Sequence, residues 1–291
     1  MRSHCVIANN SALWTLNSHG FCRKALATRR YCSYNRSVQP NESHPGLASP
    51  PTAPPLPAPW GWRDLVFGVA AAGVGVLALN LLLVAGGAAT GGAFAKNGIV
   101  LTIFVAVQDT IIVGAAALFS TLRYRVGRDR LGLRAFNVPV GCGLSAALLL
   151  LSYGIRICYA LVAAGLGYQP ALQDVLSRLD TQGIGFILTL IAAAVIAPIA
   201  EEIFFRGFVY GGLRGRIGTL GAMLVSTLFF TALHFTLDQF IPIFALGLLL
   251  AWLYERTGSL YPGMLLHSSN NAISLILLAM ARAMGVLPGK F

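Results

Sequence analysis

Long runs of hydrophobic residues recur along the chain, and polar loops separate them. An α-helix rises 1.5 Å per residue, so about 20 apolar residues cross the hydrocarbon core of a bilayer. Runs near that length predict seven transmembrane helices, and the expected fold class is all-α, a polytopic transmembrane helical bundle. The predicted spans lie at about residues 62–86, 99–121, 138–166, 183–213, 219–235, 240–254 and 261–280.

The composition agrees with this pattern. Hydrophobic residues make up 56% of the 291 residues and charged residues only 11%, whereas a soluble domain carries about 25% charged residues. The mean hydropathy is +0.71. We therefore expect the lipid bilayer to be a partner of the chain, and an ordinary soluble domain is excluded.

The net charge of +11 raises the question of a nucleic-acid partner. The basic residues do not form one polar face with interleaved aromatic residues, so nucleic-acid binding is not predicted. They lie in the N-terminal arm and in alternate loops, and cytoplasmic loops are the ones enriched in Lys and Arg. This pattern predicts a cytoplasmic N-terminus. The most basic loop follows the second span and holds Arg123, Arg125, Arg128, Arg130 and Arg134.

Three regions are predicted along the chain. Residues 1–59 form a basic arm with more than half of the 14 prolines, so we expect it to be disordered. Its acid-poor composition also resembles an organellar transit peptide, and the alternative is an ordinary cytoplasmic arm. Residues 60–182 are expected to form N-terminal transmembrane helices, with Trp60 and Trp62 as interfacial anchors. Residues 183–291 form a third, C-terminal transmembrane region.

Ionisable residues inside an apolar span cost about 3 kcal/mol each on insertion scales, so those in the C-terminal region require an explanation. Glu202 and Arg206 are four residues apart on a helix and are predicted to form an ion pair. Glu201 is rotated by about 100° from Glu202 and has no such partner, so it can face a cavity. Pro198, about one turn earlier, is expected to kink or open the helix.

Two histidines also lie in predicted spans. His234 shares a helix face with Phe230, and His267 shares one with Asn271. Each group taken alone is compatible with a structural role, as a His bonded to a carbonyl or as a polar contact between helices. The other three histidines of the chain lie in the N-terminal arm. Because three polar groups occur on three spans of one region, together they favour a site that activates water.

In chain order the three patterns are Glu-Glu-x-x-x-Arg at 201–206, Phe-x-x-x-His at 230–234 and His-x-x-x-Asn at 267–271. This series resembles the motifs of the CPBP family. That family includes type II CAAX prenyl endopeptidases, bacterial Abi-type immunity proteins and lysostaphin resistance protein A. The resemblance covers about residues 183–281 and does not extend to the arm. It implies that 183–291 form a CAAX protease/Abi-like catalytic core of an intramembrane glutamic endopeptidase.

The resemblance also implies a role for each matching residue. Glu201 would be the general base, and His234 would help to hold and polarise the attacking water. His267 and Asn271 would donate hydrogen bonds to the developing oxyanion. The ion pair described above would support and orient the helix. The substrate would be a lipidated or membrane-bound peptide, of the CAAX type in a eukaryote or the bacteriocin type in a bacterium.

Other interpretations stay open at this stage. No cofactor is expected, although two histidines and a glutamate are also a reasonable zinc-ligand set. A zinc-dependent membrane protease is therefore one alternative, and a non-catalytic membrane immunity or scaffold protein of the same fold is another. A serine mechanism is disfavoured because the sequence contains no Gly-x-Ser-x-Gly elbow.

Outside this C-terminal region, Asp109 lies inside the second span and Arg156 inside the third. We predict that they pair with each other, with a role in a substrate cavity as the alternative. The placement of His234 raises a geometric difficulty. If the helices are centred in the bilayer, His234 lies about 10 Å along the membrane normal from Glu201, unless tilt or a kink at Pro198 closes the gap.

Overall fold

The computed structural model of the protein describes residues 8–9, 12–16, 22–24, 54–168, 183–234 and 237–285. The chain divides into two compact units, Met1–Leu47 and Ala48–Phe291. In the first unit the strands β1 (Ala8–Asn9), β2 (Ala12–Leu16) and β3 (Cys22–Lys24) form an antiparallel sheet.

These strands lie inside the arm that was predicted to be disordered, and that expectation stays a prediction. The other residues of the arm up to position 53 lie outside the described residues, and the possible transit peptide stays a prediction. Residues 54–61 are described and have no regular secondary structure.

The second unit is helical and confirms the predicted fold class. Six helices of the described residues are long and apolar enough to cross a membrane, and the chain is a multi-pass membrane protein. One of the six runs over 50 residues, which is about 75 Å at 1.5 Å per residue and too long for a single crossing. It breaks at Gly218, whose φ of 74° and ψ of 170° are not helical.

Division of this helix at Gly218 gives seven segments, as predicted. The glycine is needed there because a side chain would be strained at that positive φ. We name the segments α1 (Trp62–Ala89), α2 (Gly98–Leu122), α3 (Val138–Gly165), α4 (183–217), α5 (219–232), α6 (Phe240–Thr257) and α7 (Tyr261–Ala283).

Local sequence explains where several of these helices begin and end. The side-chain oxygen of Asn97 accepts hydrogen bonds from the amides of Ile99 and Val100 and so caps α2. Asn137 caps α3 in the same way, with a proline in the first turn. Gly258 adopts the left-handed conformation that ends α6.

The most buried helix of the second unit is α4. Every residue from Glu202 to Tyr210 is buried, and Phe204, Phe205 and Phe208 belong to the hydrophobic core. In contrast, α1 and α3 expose many large apolar side chains, as expected for helices that face lipid. The helices α5, α6 and α7 pack around α4, so this part of the bundle can enclose a site.

The prediction that Trp60 anchors the chain at the membrane interface is wrong. Its side chain is fully buried, its ring stacks on Phe208, and its Nε1 donates a hydrogen bond of 2.9 Å to the carbonyl of Phe208. The ring fits there because position 212 is glycine; a Cβ at Gly212 would lie 2.7 Å from Nε1. Trp62, two residues later, is 53% exposed and is available to the interface.

We therefore expect Trp60→Ala to lower the free energy of unfolding by about 3–5 kcal/mol, because it opens a cavity beside α4. Thermal unfolding of the purified protein in detergent measures this change. Trp62→Ala is the matched control and should shift stability by less than about 0.5 kcal/mol. Equal effects of the two substitutions would contradict the placement of Trp60.

Candidate active site

The backbone of α4 departs from regular helix around the predicted site. The segments Ala192–Ile196 and Glu202–Tyr210 are π-helical, and Pro198 lies between them. In the first segment the amide of Ala197 bonds to the carbonyl of Ala192, five residues earlier. The next bond of that series would need an N–H on Pro198, which proline lacks. The carbonyl of Ala193 is therefore left without its helical partner.

Asn271 of α7 supplies that partner. Its Nδ2 donates a hydrogen bond of 3.0 Å to the carbonyl of Ala193, and its Oδ1 accepts one from Asn270. The sequence did not predict this contact, because it depends on which face of α7 meets the opened turn of α4. A carboxamide carries two N–H donors, so one remains for the oxyanion role that stays a prediction for Asn271.

The predicted ion pair between Glu202 and Arg206 is present and completely buried. Arg206 Nη1 lies 2.9 Å from Glu202 Oε1, and Arg206 Nη2 donates to the carbonyl of Gly247 in α6 at 3.2 Å. The guanidinium carbon also lies 4.4 Å from the ring centroid of Phe230 in α5. One arginine thus holds three helices together and compensates a carboxylate that has no access to water.

Two glycines allow close packing around this pair, and sequence reasoning did not single them out. A Cβ at Gly263 of α7 would lie 3.1 Å from Glu202 Oε2, and a Cβ at Gly247 of α6 would lie 2.7 Å from Thr227 Cγ2 of α5. Small residues of this kind are common where membrane helices approach closely. Glu202 Oε2 itself has no hydrogen-bond partner within the part of the chain that the structure describes.

His267 lies between the two adjacent glutamates. Its Nδ1 is 3.1 Å from Glu202 Oε1, and because a carboxylate only accepts, Nδ1 is the donor in this bond. Its Nε2 is 3.6 Å from Glu201 Oε2. The side chain of Glu201 is 23% exposed, whereas that of Glu202 is 0% exposed. The structure therefore distinguishes an accessible carboxylate, Glu201, from an inaccessible one.

His234 lies at the end of α5 and bonds to its own helix. Its Nδ1 is 2.8 Å from the carbonyl of Phe230, so Nδ1 carries a proton and a neutral ring keeps a free lone pair on Nε2. This is the structural bond that a lone membrane histidine was expected to make. It also leaves Nε2 able to accept a proton or a hydrogen bond from water.

Phe230 connects the ion pair of α4 to α5. Its ring packs on the guanidinium of Arg206, and it lies one helical turn before His234 on its own helix. The predicted axial gap between His234 and Glu201 stays a prediction.

The aromatic ring also contacts both imidazoles. Its centroid is 4.6 Å from that of His234 and 5.8 Å from that of His267. Phe230 therefore forms the wall against which the two histidines are packed. This agrees with the packing role that its apolar character suggests.

The predicted pair between Asp109 and Arg156 is wrong. Asp109 is 3% exposed, and the charged group within electrostatic range of it is Glu201. Arg156 instead lies 5.7 Å from the ring centroid of Tyr153 on its own helix. The second span thus places a third carboxyl group near the site, and the sequence alone did not indicate that orientation.

A shallow cleft of about 260 Å³ lies between α4 and α7 beside the opened turn. It is lined by α4 residues between Leu190 and Val195 and by Ser268, Ser269 and Ala272 of α7. Its lining is mostly apolar, and the polar groups that it offers are the two serine side chains. The cleft is next to the bond between Asn271 and Ala193.

Comparison with known proteins finds a family match over this site. Residues 183–273 match the family model described as type II CAAX prenyl endopeptidase Rce1-like. The match covers about a third of the chain and supports the resemblance to the CPBP family. The six predicted side chains, from Glu201 to Asn271, all lie within the matched segment, whereas Trp60, Asp109 and Arg156 precede it.

A curated relative also matches. The Bacillus subtilis (strain 168) protein named "Putative membrane peptidase YdiL" is 30% identical over 90 residues, which is 31% of this chain. The chain spans about a third of the length of this relative, since the match covers 37% of it. No solved structure matches the chain.

Metal binding was left open by the sequence. Among the described residues no group of three or more His, Cys, Asp or Glu side chains is arranged to hold a metal ion. The expectation of a metal-free site stays a prediction, and it requires a direct test.

The buried ion pair yields a stability prediction. Arg206→Met should destabilise the protein by about 3–5 kcal/mol, because it leaves the Glu202 carboxylate buried and uncompensated. The double substitution Glu202→Met with Arg206→Met should recover most of that loss. Thermal unfolding in detergent measures both, and Arg256→Met, at an exposed position of α6, is the control. A double variant no more stable than Arg206→Met alone would contradict this account.

Proposed function

We propose that the protein is an intramembrane endopeptidase that hydrolyses peptide bonds by a glutamate- and histidine-activated water, without a metal ion. The observation that carries this proposal is the accessible carboxylate of Glu201, held 3.6 Å from His267 Nε2 inside an apolar bundle. The match to type II CAAX prenyl endopeptidases supports it. The relative's name, which describes a membrane peptidase, supports it as well.

In the proposed reaction Glu201 removes a proton from water, and the resulting hydroxide adds to the carbonyl carbon of the peptide bond. His234 Nε2 accepts a hydrogen bond from the same water and so orients it. The tetrahedral oxyanion then receives hydrogen bonds from an N–H at His267 Nε2, since Nδ1–H is held by Glu202, and from the remaining N–H of Asn271. Protonated Glu201 finally returns its proton to the leaving amine as the C–N bond breaks.

The neighbouring ion pair supports these steps. Glu202 accepts from His267 Nδ1–H and so sets the orientation of the imidazole that faces Glu201. Arg206 holds Glu202 in place and neutralises it. A carboxylate that orients a histidine in this way is the arrangement used in many hydrolases.

The position of the site favours a substrate that is itself associated with the membrane. We propose a lipidated or membrane-bound peptide, of the CAAX type in a eukaryotic cell or a bacteriocin-type peptide in a bacterial one. We also propose a cytoplasmic N-terminus, supported by the arginine-rich loop between α2 and α3.

Removal of the general base tests the mechanism. Glu201→Gln should lower the cleavage rate of a membrane-embedded reporter peptide by more than about 100-fold, since general base catalysis contributes about 10²–10⁴-fold. His234→Ala should also lower the cleavage rate, by a smaller factor than Glu201→Gln. The measurement uses purified protein in lipid vesicles, with Asp129→Asn, a loop acid distant in sequence from the site, as the control. Full activity in both site variants would refute the proposed mechanism.

Metal dependence is tested separately. Incubation with 1,10-phenanthroline or EDTA should leave the cleavage rate unchanged, and elemental analysis of the active protein should find less than about one zinc per ten chains. Loss of activity that zinc restores would replace this mechanism with the zinc-dependent one, because histidine and glutamate are common zinc ligands.

A further inference from the structure

We infer that Asp109 of α2 is a positioning residue that acts through Glu201, by keeping a proton and donating a hydrogen bond toward the Glu201 carboxylate, directly or through one water. This inference rests on the proposed function of Glu201. It concerns a residue that lies outside the matched segment 183–273.

The position of Asp109 is unusual for an acidic residue. It lies near the middle of α2, and its side chain is 3% exposed. Its Oδ2 is buried and has no hydrogen-bond partner among the described residues. A carboxyl group at such depth is costly, and in membrane helices such groups usually mark function or have a stated partner.

The helix packing directs Asp109 toward the proposed base. The first part of α2, Gly98–Ala117, packs directly on Ala197–Glu201 of α4, the turn that follows the π-helical segment. Glu201 is the charged group of this turn that interacts electrostatically with Asp109. The two carboxyl groups therefore belong to one electrostatic environment on adjoining helices.

The other charged groups on elements that pack against α2 are distant or already paired. Arg63 and Asp64 lie beside the end of α2, and there Asp64 bonds to Arg123. Glu202 is engaged by Arg206. No cation of the described chain thus compensates an ionised Asp109.

Two nearby carboxyl groups without a cation between them cannot both ionise at low cost, so they retain one proton. Glu201 has a partner in His267 and is partly open to water, whereas Asp109 has neither, so the proton resides on Asp109. During cleavage Glu201 takes a proton from water and returns it to the leaving amine. Asp109 keeps its own proton throughout, and its hydrogen bond orients the Glu201 carboxylate for its role as the base.

Two substitutions separate this role from packing. Asp109→Asn keeps a neutral donor of the same shape, and kcat should stay within about threefold of the wild-type value. Asp109→Leu removes the donor, and kcat should fall about 10–100-fold with KM unchanged, since a positioned donor affects the chemical step. Thr110→Val, at the exposed neighbouring position, is the control and should be fully active.

Full activity of Asp109→Leu would overturn the inference, because no donor would then be needed. An Asp109→Asn variant as impaired as Asp109→Leu would also overturn it, since an ionisable carboxyl would then be required. If Asp109→Leu does not fold, the pH profile decides. Activity of the wild type should fall at alkaline pH as Asp109 loses its proton and repels Glu201, and Asp109→Asn should stay active to higher pH. If the wild type and Asp109→Asn lose activity over the same alkaline pH range, the inference is refuted.

These outcomes are distinct from failure of the proposed function. If Glu201→Gln is fully active, the mechanism itself fails. If Glu201→Gln is inactive while Asp109→Leu is fully active, the proposed function stands and only the role of Asp109 is lost.

Discussion

The C-terminal half of the bundle depends on the compensation of charge inside an apolar medium. Arg206 bonds to Glu202, to the backbone of Gly247 and to the face of Phe230, and these contacts link α4 with α6 and α5. Breaking such a pair leaves a buried charge and is strongly destabilising. Because the pair is buried completely, it defines how the surrounding helices pack and where water can reach. The adjacent Glu201 is the carboxylate that stays partly exposed.

The irregular backbone of α4 is the second feature that shapes the site. Irregular turns within helices often coincide with functional sites, and here Pro198 leaves a carbonyl that α7 satisfies through Asn271. The break at Gly218 separates α4 from α5, and α5 then places Phe230 against Arg206 and His234. A single uninterrupted helix would hold Phe230 about 36 Å from Arg206 along its axis.

Part of this arrangement could be predicted from the sequence. The spans follow from the length of apolar runs, and the pair of Glu202 with Arg206 follows from a spacing of four residues on one helix. Contacts within a helix are set by its period, but contacts between helices depend on rotation and depth, which the period does not determine. For that reason the burial of Trp60, the partner of Asn271 and the direction of Asp109 became visible only in the folded chain.

The charges of the acidic and basic side chains around the site have to balance, and these side chains come from helices that are far apart in the chain. Arg206 offsets Glu202, and His267 lies between Glu202 and Glu201. Asp109 is then the third acid, and no base remains for it among the described residues around it. A bundle in lipid strongly favours a site without excess charge, so one of the three acids is expected to keep its proton. In the role inferred for Asp109, the second span, which by its composition only crosses the membrane, takes part in the chemistry proposed for the fourth.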